Sequence, residues 1–250
     1  MPLAPNFPVM LRTEDGVRID AAHTPSTRPD LGIVVAHGFT GGWRDCATRR
    51  IVHVLSGYGG VIAFDFRGHG RSGGESTVGD KEILDIEAAV RHARVIGCSK
   101  VAVVGFSMGA AVAVRHAGLL GGVDAVVSVS GPARWYYRGT KPMRQVHWAI
   151  EQPIGRWSAR MAKHTRIARG RWDPVPVPPH EAVALISPTP LLIVHGDADA
   201  FFPLEHAHQL YEGARQPKTL WIEQRYGHAE SAAGPELIRR IGKWISSNLF

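Results

Sequence analysis

The chain reads as an α/β protein built on a mostly parallel sheet of about eight strands with helices on both faces, and three observations predict this. Short apolar runs alternate with amphipathic segments along most of the 250 residues, the pattern of strands joined by helical crossovers. Several runs, Leu31-Gly32-Ile33-Val34-Val35-Ala36 among them, are apolar at every position, as a strand covered on both faces requires. The third observation is Val101-Ala102-Val103-Val104-Gly105-Phe106-Ser107-Met108-Gly109-Ala110-Ala111, where a buried strand meets a Gly-x-Ser-x-Gly turn and then a small-residue helix. That turn exposes a serine hydroxyl at the edge of a sheet.

Taken in order, Met10–Thr13 and Val17–Ala22 alternate loosely about Gly16 and predict an antiparallel hairpin over 9–25 at a sheet edge. Leu31–Ala36 follows as a buried strand and runs into His37-Gly38-Phe39-Thr40-Gly41-Gly42. A helical pattern from Trp43 to Ser56 is stopped by Gly57, Gly59 and Gly60. Val61–Phe66 is the next strand, and Arg67–Gly74 is too glycine-rich to be regular. Asp80 is placed to cap a helix in which Ile83, Ile86, Ala89, Val90 and Ala93 keep helical spacing. The serine-bearing strand and its helix extend to about Leu120, and Val123–Val129 gives another buried strand. After Gly131 and Pro132 the alternation stops. It resumes with a strand over Pro190–Gly196, a helix near Leu204–Glu212, a strand over Lys218–Glu223 and a closing helix over Pro235–Asn248.

Composition narrows the possibilities. An apolar fraction of 44% suits a soluble globular protein with one main core. No run of eighteen apolar residues occurs, and Met1–Asn6 has neither a basic nor an apolar leader segment, so the expected location is cytoplasmic. Cys46 and Cys98 have no partner at metal spacing and are expected to be buried thiols. The net charge of +7 is concentrated between Gly131 and His180, where ten Lys or Arg face only Glu151 and Asp173. No nucleic-acid motif accompanies that basic stretch, so nucleic acid is not an expected partner. No phosphate-cradling Gly-x-x-x-x-Gly-Lys occurs, and neither a cofactor nor a metal is expected.

Ligands of open parallel sheets gather outside the carboxyl ends of the strands, so partners for Ser107 are sought in loops that follow strands. His37, His69, His195 and His228 meet that condition. His195 opens a His-Gly-Asp-Ala-Asp turn and is expected to shape it, whereas His228 lies beyond the last strand with Gly227 to give its loop freedom. For an acid, the loop after Gly196 offers Asp197 and Asp199, while Asp124 sits at the wrong end of its strand. The order Ser, Asp, His is the one this elbow normally uses.

His37-Gly38-Phe39, Asp65-Phe66-Arg67-Gly68-His69-Gly70-Arg71-Ser72, Gly105-Phe106-Ser107-Met108-Gly109, His195-Gly196-Asp197-Ala198-Asp199 with Pro203, and Gly227-His228 together resemble the serine-nucleophile α/β-hydrolases of the monoglyceride-lipase-like or esterase kind. The resemblance implies an α/β-hydrolase fold, with 1–130 and 186–250 as its core and 131–185 as a small cap insertion. It also implies a catalytic triad of Ser107 as nucleophile, His228 as general base and acid, and Asp199 orienting the histidine, with Asp197 a structural neighbour. The oxyanion hole would use the backbone N–H groups of Phe39 and Met108. The Asp65–Ser72 loop is read as structural.

Four of the seven tryptophans, Trp135, Trp148, Trp157 and Trp172, lie in the insertion. Ile154, Trp157, Met161 and Thr165 share one helical face, with Arg156, Arg160, Lys163, Arg166 and Arg169 on the other. The expectation is a lid helix with its apolar side on the pocket and its charges in water, open to weak contact with an anionic membrane. Pro174, Pro176, Pro178 and Pro179 form a stiff return linker. Phe106, Trp135, Trp157, Met161 and Phe201 are the expected pocket residues. The expected activity is cleavage of a small-molecule acyl or aryl ester of modest size. The same triad also serves thioesterases, amidases and C–C hydrolases, and a non-catalytic ligand-binding member is the remaining alternative.

Overall fold

A computed structural model describes residues 6–250, so all but the last residue of the opening stretch read for a leader lies outside the described residues. Eight strands form one sheet: β1 (Phe7–Arg12), β2 (Arg18–Thr24), β3 (Leu31–Ala36), β4 (Gly60–Phe64), β5 (Lys100–Phe106), β6 (Ala125–Val129), β7 (Leu191–Gly196) and β8 (Lys218–Glu223). Their spatial order is β1-β2-β4-β3-β5-β6-β7-β8, with β2 antiparallel to both its neighbours and the rest parallel. The chain moves outward from β3 to β4 and then returns to place β5 on the other side of β3. The strand order therefore reverses between β3 and β5, where a crevice opens at the carboxyl edge of such sheets.

Nine helices are described: α1 (Cys46–Leu55), α2 (Ile83–Val95), α3 (Met108–Leu119), α4 (Lys141–Glu151), α5 (Pro153–Lys163), α6 (Pro179–Ala182), α7 (Glu205–Gly213), α8 (Ala229–Ala232) and α9 (Pro235–Leu249). Side chains of β5 alternate between two cores. Val101 and Val103 join Ile86 and Ala89 of α2, Val112 of α3 and Leu210 of α7. Ala102, Val104 and Phe106 face the opposite way, with Ile51 and Leu55 of α1 and Ile238, Ile241 and Ile245 of α9. Both faces are covered, which is why these strands carry no polar alternation. Each fully buried Ile of α9 contributes roughly 1.5–3 kcal/mol.

Several local expectations are corrected. Trp43 precedes α1, because its amide N–H donates to Asp65 Oδ1 (2.8 Å) and its indole N–H to Asp20 Oδ2 (2.9 Å), holding it in a turn. Asp80 does not cap α2. Glu82 occupies the N-cap position, and its carboxylate turns back to accept from Ser76, Thr77, Val78 and Gly79. Cys98 is buried but Cys46 is exposed, since it lies off the buried stripe Thr48, Ile51, Val52 and Leu55 of α1.

The insertion departs most from expectation. Besides the short α6 it holds two longer helices, α4 and α5, which approach closely where Gly155 passes Ala149. A Cβ built on Gly155 would lie 2.5 Å from Ala149 Cα, and Gly155 and Ala159 are the buried residues of α5. The stripe expected to face the pocket is open instead, with Ile154 67%, Trp157 64% and Met161 61% exposed. Thr165 is fully buried and lies beyond α5, which ends at His164 in the left-handed region. No helix among the described residues is long and apolar enough to cross a membrane.

Candidate active site

Ser107 sits between β5 and α3 with φ 51° and ψ −116°, a conformation costly for a residue with a Cβ. Its flanking glycines are explained by close approach. A Cβ on Gly105 would collide with the Gly109 carbonyl, and one on Gly109 with the carbonyl oxygens of Ala36 and His37 at the end of β3. The elbow therefore lies against the loop that follows β3. The Ser107 amide donates to Val129 O (2.9 Å), pinning the turn to the end of β6.

Matched register brings the carboxyl ends of β3, β5, β7 and β8 to one edge, pairing Ala36 with Gly105 and Gly196 with Glu223. His228 Nε2 is 2.9 Å from Ser107 Oγ, and His228 Nδ1 is 2.8 Å from Asp199 Oδ2. With the ring proton on Nδ1, Nε2 accepts from the serine hydroxyl. The Asp199 side chain has no solvent exposure, and its other oxygen accepts from the amides of Phe201 (2.8 Å) and Phe202 (3.1 Å). Burial opposes its charge, but the hydrogen bond and nearby charge of His228 together with those two amides hold its carboxyl below the ordinary value. Asp197 is exposed and accepts from the Arg225 amide (2.6 Å), tying the β7 loop to the β8 loop. His195 is fully buried, and its Nε2 bonds Phe202 O (2.9 Å), shaping the turn as expected.

In the loop after β3, the Gly38 N–H donates to Glu230 Oε1 (2.8 Å), the Thr40 N–H to His69 Nε2 (3.2 Å) and the Gly41 N–H to Gly38 O (3.0 Å). The Phe39 N–H and the Met108 N–H, the first of α3, make no hydrogen bond to the described residues. A Cβ on Gly38 would lie 3.2 Å from Ser107 Cβ, so this loop faces Ser107. Two neutral imidazoles brace it. His37 donates from Nδ1 to Gly38 O (2.7 Å) and accepts the Phe66 N–H at Nε2 (3.1 Å). Burial lowers His37 to about 4, and burial with the neighbouring His37 lowers His69 to about 3.

The alpha/beta hydrolase family profile matches residues 33–237, which span every element of this site. The chain belongs to that family. The Bacillus subtilis (strain 168) uncharacterized protein YqkD is 28% identical over 231 residues, covering 86% of this chain and 69% of YqkD. The Pyrococcus furiosus esterase Pf2001 is 26% identical with a TM-score of 0.77, covering 98% of this hydrolase and 91% of the esterase. The esterase domain of a Rhodothermus marinus protein shares the fold, at 21% identity, a TM-score of 0.69 and coverage of 97% of both chains.

Of the five residues expected around the substrate, Phe201 stacks on the His228 imidazole, with centroids 4.3 Å apart and planes at 26°. The others are placed differently in this hydrolase. Phe106 is wholly buried in the core on the α1 and α9 side, as its two-residue spacing from Val104 requires. Trp135 packs on Trp172 (5.2 Å) and donates its indole N–H to Pro176 O (2.9 Å), anchoring the root of the insertion. Trp157 points to solvent, and Met161 lines a shallow depression with Gly70, Arg160, His164 and Arg166. Sequence reasoning missed Glu230 and Ser130, whose Oγ accepts the Ala229 N–H (3.1 Å). Only the position of Glu230 two residues after His228 hinted at a role.

Proposed function

We propose that this α/β-hydrolase cleaves carboxylic esters of modest size, acyl or aryl, through an acyl-enzyme on Ser107. The reading rests on the unbroken relay from Ser107 Oγ to His228 Nε2 (2.9 Å) and from His228 Nδ1 to Asp199 Oδ2 (2.8 Å), beside two amide N–H groups that have no partner among the described residues. As Oγ bonds the carbonyl carbon, His228 Nε2 takes the hydroxyl proton and Asp199 balances the imidazolium. The carbonyl oxygen, now negative, accepts from the Phe39 and Met108 amides. Met108 opens α3, so the field of the helix N-terminus acts in the same direction. Collapse of the intermediate breaks the C–O bond, and the alcohol leaves with the proton from Nε2. Water, deprotonated by the same nitrogen, then attacks the acyl-serine and releases the acid.

The solved esterase similar to this chain supports an ester over other acyl compounds. Residues 131–185 serve in this reading as a cap, and the bond from Thr140 Oγ1 to Phe201 O (2.9 Å) ties them to the ring that covers His228. The test is turnover of p-nitrophenyl and aryl esters of increasing chain length, together with fluorophosphonate labelling, in wild type and Ser107→Ala. Both signals should vanish in a folded Ser107→Ala protein. Retained turnover there overturns the reading.

A further inference from the structure

We propose that Glu230 is a positioning residue of this site: its carboxylate holds the loop after β3 in the shape that turns the Phe39 N–H toward a carbonyl oxygen bound at Ser107. The inference rests on the hydrolase reading above. Residues 37–42 include three glycines, so their peptide planes rotate easily and an amide there has no fixed direction of its own. Two bonds remove that freedom on either side of Phe39. The Gly38 N–H is held by Glu230 Oε1 (2.8 Å) and the Thr40 N–H by His69 Nε2 (3.2 Å), leaving the amide between them without a partner among the described residues.

Glu230 is itself held in place. Arg50 Nη2, from α1, donates to Glu230 O (3.2 Å) and Ala233 O (3.0 Å), and the preceding Ala229 is fixed by Ser130 and by the Tyr226 hydroxyl (2.6 Å to Ala229 O). The carboxylate also lies toward the nucleophile, since a Cβ on Gly38 would be 3.2 Å from both Glu230 Oε1 and Ser107 Cβ. A negative charge so close to a developing oxyanion opposes it electrostatically. Its benefit must therefore come from the hydrogen bond it accepts and not from its charge. A neutral acceptor of the same shape should do the same work.

The experiment compares wild type, Glu230→Ala, Glu230→Gln and Glu230→Asp for ester kcat and KM, for Kd of an alkyl boronic acid that forms a tetrahedral adduct on the serine, and for Tm. An interaction made only in the transition state lowers kcat and leaves KM in place. Glu230→Ala should therefore lose roughly ten- to a hundredfold in kcat, with a comparable weakening of the boronic acid, against the larger loss expected when an oxyanion donor is removed outright. Glu230→Gln should stay within about threefold of wild type, the difference between a charged and a neutral acceptor. Glu230→Asp, too short to reach Gly38, should resemble Ala, and it decides the matter if Ala does not fold. The proposal is overturned if Ala and Asp keep kcat and boronic acid affinity within about threefold of wild type, or if Gln falls as far as Ala. An inactive Ser107→Ala beside a fully active Glu230→Ala removes this inference and leaves the hydrolase reading standing.

Discussion

Replacing Asp199 by asparagine tests the relay at its buried end, and the structure determines which way the new amide points. Oδ1 accepts two backbone N–H groups, from Phe201 at 2.8 Å and Phe202 at 3.1 Å, while Oδ2 faces His228 Nδ1 at 2.8 Å. Placing the amide NH2 against the two backbone donors leaves both without an acceptor, at about 1–3 kcal/mol each. The oxygen of the new side chain therefore takes the Oδ1 position, and the NH2 is left pointing at His228 Nδ1. That nitrogen must then accept, the proton moves to Nε2, and the ring presents a donor to Ser107 where it needs an acceptor. In a serine protease the same change lowers kcat about 10⁴-fold with the geometry intact, and a loss of that order is expected for Asp199→Asn. The assay is kcat/KM on a p-nitrophenyl ester, with Tm as the folding control and Asp197→Asn in parallel. Asp197 is exposed and bonds only the Arg225 amide among the described residues, so its variant should keep activity within about threefold, the worth of one ordinary hydrogen bond. A folded Asp199→Asn protein with more than about a tenth of wild-type activity, or a collapse in Asp197→Asn instead, would refute this account of the tautomer.

Two further outcomes follow from the same edge of the sheet. Gly109→Ala drives a methyl into the carbonyl oxygens of Ala36 and His37, which are backbone and cannot swing aside, so about 3 kcal/mol of stability and roughly 6–12 °C of Tm should be lost; a Tm within about 2 °C of wild type by calorimetry contradicts the packing. His37 is lowered from 6.5 to about 4 by burial, so between those values the unfolded chain binds a proton that the folded chain refuses, and stability falls as pH falls. His37→Gln lacks that proton, so its stability gap to wild type should narrow by about 1.4 kcal/mol per pH unit on acidifying through that window, read from urea unfolding at about pH 7 and pH 5. A gap that stays constant is incompatible with a buried neutral imidazole at this position.

Much of this arrangement was legible in the sequence because one interaction dominates each legible part. The β5 strand, the elbow and α3 are dictated by continuous burial and by glycines whose missing Cβ atoms admit neighbouring backbone, and both leave plain marks in the residue types. The core position of Phe106 is legible as well, since the two-residue alternation through Ala102 and Val104 carries it to the same face. The insertion was not. The α5 pattern separates an apolar stripe from a basic one, but neither is what the helix buries; it buries Gly155 and Ala159, and the missing side chain of Gly155 admits Ala149 of α4. Asp80 failed as a cap for a related reason, since Glu82 satisfies four loop residues at once and moves the helix start past it. The pairing of Glu230 with Gly38 is illegible for a different reason, since it joins residues 192 apart and leaves no periodic trace.

The cross-links among the loops around Ser107 also explain how a strained serine is kept in place. Ser107 N–H is held by Val129 O at the end of β6; the next residue, Ser130, accepts the Ala229 N–H beside His228; Asp197 accepts the Arg225 N–H; and Glu230 reaches back to Gly38. Each bond joins two loops that follow different strands, so no loop can relax alone. The cost of the Ser107 backbone, on the order of 1–3 kcal/mol, is thereby spread over a network anchored in the sheet. None of these bonds runs through residues 131–185. Residues 131–185 meet the relay one step away instead: Thr140 Oγ1 donates to Phe201 O (2.9 Å) while the Phe201 N–H holds Asp199 Oδ1 (2.8 Å), so a shift of that segment is felt at the carboxylate.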